Sequence, residues 1–393
     1  MNILYLSERD PRDTHFGGAQ RTHFIWEALK QLGTVYALHF DQQYRTEEIA
    51  PGIWTVKKLM RISKLQWFFY RLERRMLKPL KVLPLWPMPT YCEKSIDELF
   101  PNVKFDLVVC RYCFDMAEMH IWNYPRVYVD FDDHPLEMYN TLKGRNVKPR
   151  LKPIGRFVIR LQMKYIESKI TGGWVSNPEQ AHLIHTKEPI VGLKNIAVTP
   201  SGTYKVEAER KNMLIIVGSM SYYPNYSGVD RFLMEVWPLV HSKYPHLRLA
   251  IIGKDLPEEY SKKWRNIPNV KEMGFVENLE LMYQECLATI VPIYSGGGTC
   301  IKTRESMSYS RVCLASPFGA RGLEDCLMEK NKGLRVYHNA EEFLSLLNEV
   351  VMNAEERIIS EKAGREYIRR THSIDSFMDT VVNTIKADKD KCR

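Results

Sequence analysis

Short apolar runs alternate with longer helix-period segments along most of the chain, and midway the series begins again. In the first half the strand candidates are residues 2–7, 35–39, 52–56, 107–110, 126–130 and 173–176, with 197–199 closing the set. In the second half they are 213–218, 247–252, 270–273, 289–292, 312–315 and 333–336. Strand–helix alternation of this kind predicts α/β structure, with parallel sheets covered by helices on both faces. Two series over 393 residues predict two Rossmann-like doubly wound domains. The polar stretch that opens with Pro200-Ser201-Gly202 reads as the linker, so the domains are placed at 1–200 and 201–393. Ligands of such sheets sit beyond the carboxyl ends of the strands, and two facing sheets would enclose a cleft. The last helical segment, 341–389, could pack back across the first domain.

Several classes are set aside at once. No apolar run reaches the length of a bilayer span. The opening Met1-Asn2-Ile3-Leu4-Tyr5-Leu6 reads as a first strand and not as a signal peptide, because it lacks a basic leader. Eight cysteines are scattered, and the C-x-x-C spacing of Cys110 and Cys113 has no second pair to complete a zinc site. Reduced, mostly buried thiols in a cytoplasmic protein are expected. His15, His23 and His134 lack metal-ligand spacing, and no metal is expected.

Charge is uneven. Residues 1–200 hold 29 Lys and Arg against 21 Asp and Glu, which accounts for most of the net charge of +9. Between 57 and 81 stand Lys57, Lys58, Arg61, Lys64, Arg71, Arg74, Arg75, Lys78 and Lys81, opposed by Glu73 alone. Trp67, Phe68, Phe69, Leu72 and Met76 are interleaved with them. A second run, from Lys143 to Lys164, holds eight basic residues and no acid. Basic and large apolar residues on one helix suit an anionic membrane surface. The competing reading is a solvated helix whose apolar side packs on its own domain. Nucleic acid is not expected, since no recognition motif accompanies the charge.

One turn carries the strongest chemical signal. An apolar run, 287–293, leads through Tyr294-Ser295-Gly296-Gly297-Gly298-Thr299-Cys300 into a helix-like segment, 301–310. The three glycines let backbone approach a ligand without interference from Cβ. Unpaired N–H groups and the dipole at the helix start favour an anion. Lys302 adds a charge suited to phosphate, and Glu305, one turn on, can accept hydrogen bonds from vicinal sugar hydroxyls. Together these suggest a nucleotide-sugar; a plain glycine turn is the alternative.

Four blocks in this order, over about residues 213–325, resemble the nucleotide-sugar domain of GT-B glycosyltransferases, particularly glycosyltransferase family 4. The first is Val217-Gly218-Ser219-Met220-Ser221-Tyr222-Tyr223-Pro224-Asn225. Ile252-Gly253-Lys254 and Met273-Gly274-Phe275-Val276 follow. The fourth is the glycine turn, extended by Glu305-Ser306-Met307-Ser308, Gly319 and Gly322-Leu323. In the first half, Gly17-Gly18-Ala19-Gln20-Arg21 resembles the glycine loop after the family's first strand. Val127-Tyr128-Val129-Asp130-Phe131-Asp132-Asp133 resembles the strand end that faces the cleft.

The resemblance implies transfer of a sugar from a nucleotide diphosphate to an acceptor hydroxyl, with retained anomeric configuration and with neither cofactor nor obligatory metal. It assigns Gly17, Gly18, Gly218, Ser219, Asn225, Gly297, Gly298 and Thr299 to the donor site, with Lys302 at the diphosphate and Glu305 at the ribose. Gly274, Phe275 and Val276 would form the edge that holds the base. Asp132 and Asp133 would stabilise positive charge or orient the acceptor, although both could instead cap the following turn. Three departures stand out. Gly297 occupies the place of a first glutamate eight positions before Glu305. Ser219, Ser221 and Asn225 stand where an arginine often assists the diphosphate, and Asp132 stands where a histidine commonly ends the strand. The D-x-D of Asp130 and Asp132 has the spacing of a metal–diphosphate site, but of a different glycosyltransferase fold. The expected acceptor is a saccharide or lipid-linked saccharide in cell-surface polysaccharide or glycolipid synthesis, met on the inner membrane face through residues 57–81. A nucleotide-sugar epimerase on the same scaffold and a non-catalytic membrane-associated scaffold are the alternatives.

Overall fold

The computed structural model describes residues 1–14, 17–40, 45–59, 64–82, 91–92, 94–112, 124–144, 146–196, 210–296, 299–329 and 333–391. The expected strand at 197–199, most of the 200–212 linker, His15, Arg61, Cys113, Arg145, Gly297 and Gly298 lie outside these residues. Two compact units result. Unit 1 is Met1–Lys194 with Asp375–Arg393, and unit 2 is Asn195–Ile374.

Unit 1 is built on β1 (Asn2–Ser7), β2 (Thr34–Phe40), β3 (Glu47–Ala50) and β4 (Ile53–Val56), then β7 (Leu107–Arg111), β8 (Val127–Asp132), β9 (Gly172–Val175) and β10 (Ile190–Gly192). These form one sheet in the order β10-β9-β8-β7-β1-β2-β4-β3, while β5 (Lys58–Leu59) and β6 (Tyr91–Cys92) pair as a separate ribbon. Its helices are α1 (Gly17–Lys30), α2 (Lys64–Leu77), α3 (Ile96–Leu99), α4 (Pro135–Met138) and α5 (Lys152–Glu167). Both faces of β1 are covered: Leu4 and Leu6 join the core beneath Ile159, Met163 and Ile166 of α5. On the other face the Tyr5 hydroxyl donates to the Thr22 carbonyl of α1 (3.0 Å).

Not every strand is parallel, as alternation alone predicted. β3 was not foreseen, and it runs antiparallel to β4 at the sheet edge. The connection is Pro51-Gly52, with Gly52 at φ +74°, a turn dipeptide that could have announced the hairpin. β8 also runs two residues further than expected, through a register shift between Asp130 and Asp132.

Unit 2 holds β11 (Met213–Val217), β12 (Arg248–Ile252), β13 (Val270–Gly274), β14 (Ala288–Val291), β15 (Cys313–Ala315) and β16 (Leu334–Val336). They form an all-parallel sheet in the order β13-β12-β11-β14-β15-β16. Around it lie α6 (Tyr223–Glu235), α7 (Trp237–Lys243), α8 (Glu258–Trp264), α9 (Leu279–Glu285), α10 (Ile301–Ser308), α11 (Glu324–Met328), α12 (Ala340–Met352) and α13 (Ala354–Thr371). Leu214, Ile216, Leu249 and Ile251 pack with Phe232, Trp237 and Phe343 on one face. Ile215, Ala250 and Ile252 pack with Tyr283 and Cys286 on the other. Near-continuous apolar strands are what a sheet buried on both sides requires. α10 stops two residues short of its expected end, because Ser310 takes φ +50°.

The final helix, α14 (Ile374–Lys391), lies with unit 1 over nearly all its length. Phe377 meets Phe24 edge to face at 6.5 Å. Trp174 Nε1 donates to Thr384 Oγ1 (3.2 Å), and Arg126 donates to Asp388 (2.8 Å) and to the Ile385 carbonyl (2.8 Å).

Candidate functional site

In unit 2, β11 and β14 are neighbours in the sheet, and the segments after them lead into α6 and α10. Two glycines set how closely these parts approach. A Cβ on Gly228 of α6 would fall 1.9 Å from the Pro292 carbonyl oxygen, so the helix rests directly on the chain leaving β14. A Cβ on Gly218 would fall 2.5 Å from Lys302 Cε and 3.1 Å from Asn225 Nδ2. The Lys302 stem therefore lies over the bare backbone of the first loop. Gly218 and Asn225 of the first block and Lys302, which follows the glycine turn, are brought together.

Their neighbours divide into groups that could face a ligand and groups that brace the loop. Asn225 is buried and donates to the Ser219 carbonyl at 2.6 Å, so it pins the turn. Ser219 is exposed, and its hydroxyl lies 2.9 Å from that of Ser221. Thr299 is buried and accepts from Asn195 Nδ2 at 3.0 Å. Gly274 takes φ +64° at the end of β13, and Phe275 beside it is 74% exposed. That is an open edge available to a flat ring.

Glu305 lies one turn beyond Lys302 on α10 and accepts from the Tyr283 hydroxyl of α9 (3.2 Å). Tyr283 is itself stacked on Tyr309 at 4.4 Å. Burial lifts the Glu305 carboxyl above the ordinary glutamate range, against the Tyr283 hydrogen bond and the Lys302 charge. Arg304, between the two, is fully buried, and burial pushes its guanidinium down to about 10. It donates to the carbonyls of Cys300 (3.0 Å) and Gly322 (3.1 Å), tying the entry of α10 to the loop after β15. Neither Tyr283 nor Arg304 is given a role in the site by the sequence reading.

In unit 1 the carboxyl ends of β7 and β8 carry a charge cluster. Asp130 is fully buried and takes a paired contact from Arg21 of α1, Nε at 2.8 Å and Nη2 at 2.7 Å. Arg111 Nη1 lies 2.7 Å from the same carboxylate, while its Nη2 donates to Asp132 at 2.9 Å. The carboxylate of Asp132 keeps a quarter of its surface open. Burial acts to raise the Asp132 carboxyl, but the Arg111 and Arg21 charges outweigh it and hold the group below the ordinary aspartate range. Asp132 has φ +60°, and Tyr112, just past β7, has φ +73°. Two left-handed residues at adjacent strand ends are costly, and such strain concentrates at functional sites.

Asp133 is half-buried, with its N–H bonded to the Phe131 carbonyl (2.7 Å). Neither aspartate caps α4; His134 does, its Nδ1 accepting from the Leu136 N–H (3.2 Å). Asp130 of the D-x-D spacing is enclosed by the Arg21 and Arg111 guanidinium groups, and among the described residues no group of three or more His, Cys, Asp or Glu is placed to hold a metal ion. Gly17 opens α1, and the Gly18 carbonyl accepts from Thr22 Oγ1 (3.0 Å), one turn before Arg21.

The family model described as Glycosyl transferases group 1 matches residues 211–353. Among curated proteins, none matches this chain in sequence. Solved structures do match in fold over nearly all of it. Sucrose-phosphate synthase from Thermosynechococcus elongatus superposes with a TM-score of 0.67 at 12% identity, covering 98% of each chain. A structure titled trehalose-6-phosphate from E. coli, bound with UDP-2-fluoro glucose, gives 0.62 at 11% identity, covering 98% of this chain and 99% of that one. WaaG, a glycosyltransferase involved in lipopolysaccharide biosynthesis, gives 0.59 at 14% identity, covering 96% and 99%. Residues 211–353 match a group 1 glycosyl transferase domain, and the chain as a whole has the GT-B fold.

Proposed function

We propose that the chain transfers a sugar from a nucleotide diphosphate to a hydroxyl of a saccharide or lipid-linked saccharide, with retention. The observation that carries this is the placing of Lys302 over Gly218 with Glu305 one turn away. Lys302 and the first N–H groups of α10 meet the leaving diphosphate, and stabilising that charge is the main electrostatic task of the step. Glu305, held by Tyr283, takes the ribose hydroxyls. The open edge at Gly274, Phe275 and Val276 takes the base. Asp132, kept ionised by Arg111 and Arg21, stabilises positive charge on the sugar or orients the acceptor, and Asp133 lies beside it. The diphosphate charge is met by these groups without an obligatory metal ion. We place the reaction in cell-surface polysaccharide or glycolipid synthesis on the cytoplasmic side. The epimerase and scaffold alternatives gain nothing from the group 1 match.

Thermal stabilisation by UDP-, GDP-, dTDP- and ADP-sugars tests the donor site, with UDP first because one similar structure holds a UDP-sugar. One nucleotide class should raise the melting temperature of the parent but not of Lys302→Ala or Glu305→Ala. Stabilisation that survives in both variants would place the donor elsewhere.

A further inference from the structure

α2 and α5 of unit 1 both turn apolar side chains outward. On α2, Leu65, Phe68, Phe69, Leu72 and Met76 follow the spacing of one helix face and are 46–68% exposed. Leu77, on a different side of the same helix, is buried. On α5, Ile154, Phe157, Leu161 and Tyr165 recur at three- and four-residue steps and are 42–58% exposed. The opposite side of α5, with Ile159, Met163 and Ile166, supplies the core. The competing expectation, that the apolar side of these segments packs on its own domain, therefore holds for one side of each helix and fails for the other. The helices adjoin, because Leu77 at the end of α2 and Leu80 in the turn after it pack with Val158 of α5.

Soluble surfaces seldom carry two such stripes side by side. The flanking charge is of one sign. Lys64, Arg71, Arg74, Arg75, Lys78 and Lys81 accompany α2, and Lys152, Arg156, Arg160 and Lys164 lie on α5, against Glu73 and Glu167 alone. Among the described residues no helix is long and apolar enough to cross a membrane. Apolar stripes with a cationic flank suit helices lying in the plane of a bilayer interface.

We propose that α2 and α5 form one docking surface for an anionic bilayer, with both apolar stripes seated in the interface and the Lys and Arg side chains on anionic headgroups. The inference rests on the lipid-linked acceptor proposed above, and its readout is separate from donor binding. Full-length protein is sedimented with vesicles of phosphatidylcholine, with and without phosphatidylglycerol. Binding is expected to the anionic vesicles and to weaken with salt. Phe69→Glu and Phe157→Glu, one on each helix, should each weaken it by about tenfold or more. Both sites are exposed, so both variants should melt as the parent does and keep nucleotide-dependent stabilisation. Failure to bind anionic vesicles overturns the proposal, as does equal binding to neutral ones. Binding unaffected by Phe157→Glu overturns the two-helix surface. Self-association that Phe69→Glu abolishes, without vesicle binding, would assign the stripes to a second copy instead. Loss of nucleotide stabilisation with vesicle binding intact would count against the donor site alone.

Discussion

Replacing Gly218 by alanine should cost donor affinity and leave the fold standing. The new Cβ would lie 2.5 Å from Lys302 Cε, where carbon atoms settle at about 3.5–4.0 Å. One of them must retreat by at least about 1 Å, and the far end of a lysine is the part that can. Asn225, 3.1 Å away, is held by the Ser219 carbonyl and is less free to yield. Gly218 is not in the left-handed region, so alanine meets no backbone strain there. Any crowding is offset by a less flexible unfolded chain, worth about 0.4–1 kcal/mol. The melting temperature should therefore move by only a few degrees, at about 2–4 °C per kcal/mol. Displacing Lys302 from a phosphate removes a charged hydrogen bond of about 1.5–3 kcal/mol, or roughly 10- to 150-fold in Kd. Calorimetric titration with the nucleotide-sugar selected by the thermal panel measures this. Gly228→Ala is the control: its Cβ would meet the Pro292 carbonyl oxygen at 1.9 Å, a backbone atom that cannot step aside. Overpacking there should cost about 1–3 kcal/mol or more and lower the melting temperature clearly. Parent-like binding by Gly218→Ala would refute the placing of Lys302 at the phosphate. Destabilisation equal to that of Gly228→Ala would refute the contrast between a yielding side chain and fixed backbone.

Two further outcomes concern unit 1. Asp130→Asn strips Arg21 and Arg111 of their shared buried partner and should cost about 3–5 kcal/mol in urea unfolding. Asp132→Asn, at the partly open end of the cluster, should cost less stability while abolishing transfer; equal stability losses would show that the two carboxylates are not distinct in role. Burial holds the His134 imidazole below its ordinary pKa, and Nδ1 can accept from Leu136 only when unprotonated. The folded state thus binds fewer protons here than the unfolded one. Its contribution is complete above about pH 6.5 and declines as pH falls below that towards the lowered folded value. His134→Asn should keep the cap and remove that part of the pH dependence of the urea midpoint.

The strands were legible because a sheet covered on both faces demands unbroken apolar runs, as in Ile3-Leu4-Tyr5-Leu6 and Leu214-Ile215-Ile216. β3 escaped because Glu47-Glu48-Ile49-Ala50 is a polar edge strand with no buried face to mark it. In the proposed donor site, the meeting of Gly218 with the segment that carries Lys302 and Glu305 was suggested by motif and spacing. The part played by Tyr283 was not, since it reaches Glu305 from another helix. Arg304 was hidden beside Lys302, and nothing local shows that its guanidinium turns inward to the Cys300 and Gly322 carbonyls.

The sequence by itself determined two α/β series, a glycine-rich turn ahead of a helix with Lys302 in its first turn, and a first half rich in positive charge, because each is written in neighbouring residues. Tertiary structure decided what those residues do. It made Asp130 a sealed partner for Arg21, which comes from 109 positions away, and left Asp132 partly open two residues later. It also decided which sides of α2 and α5 enter the core and which apolar sides stay in solvent. Periodicity is a property of adjacent turns, whereas ion pairing and exposure depend on which distant segments meet.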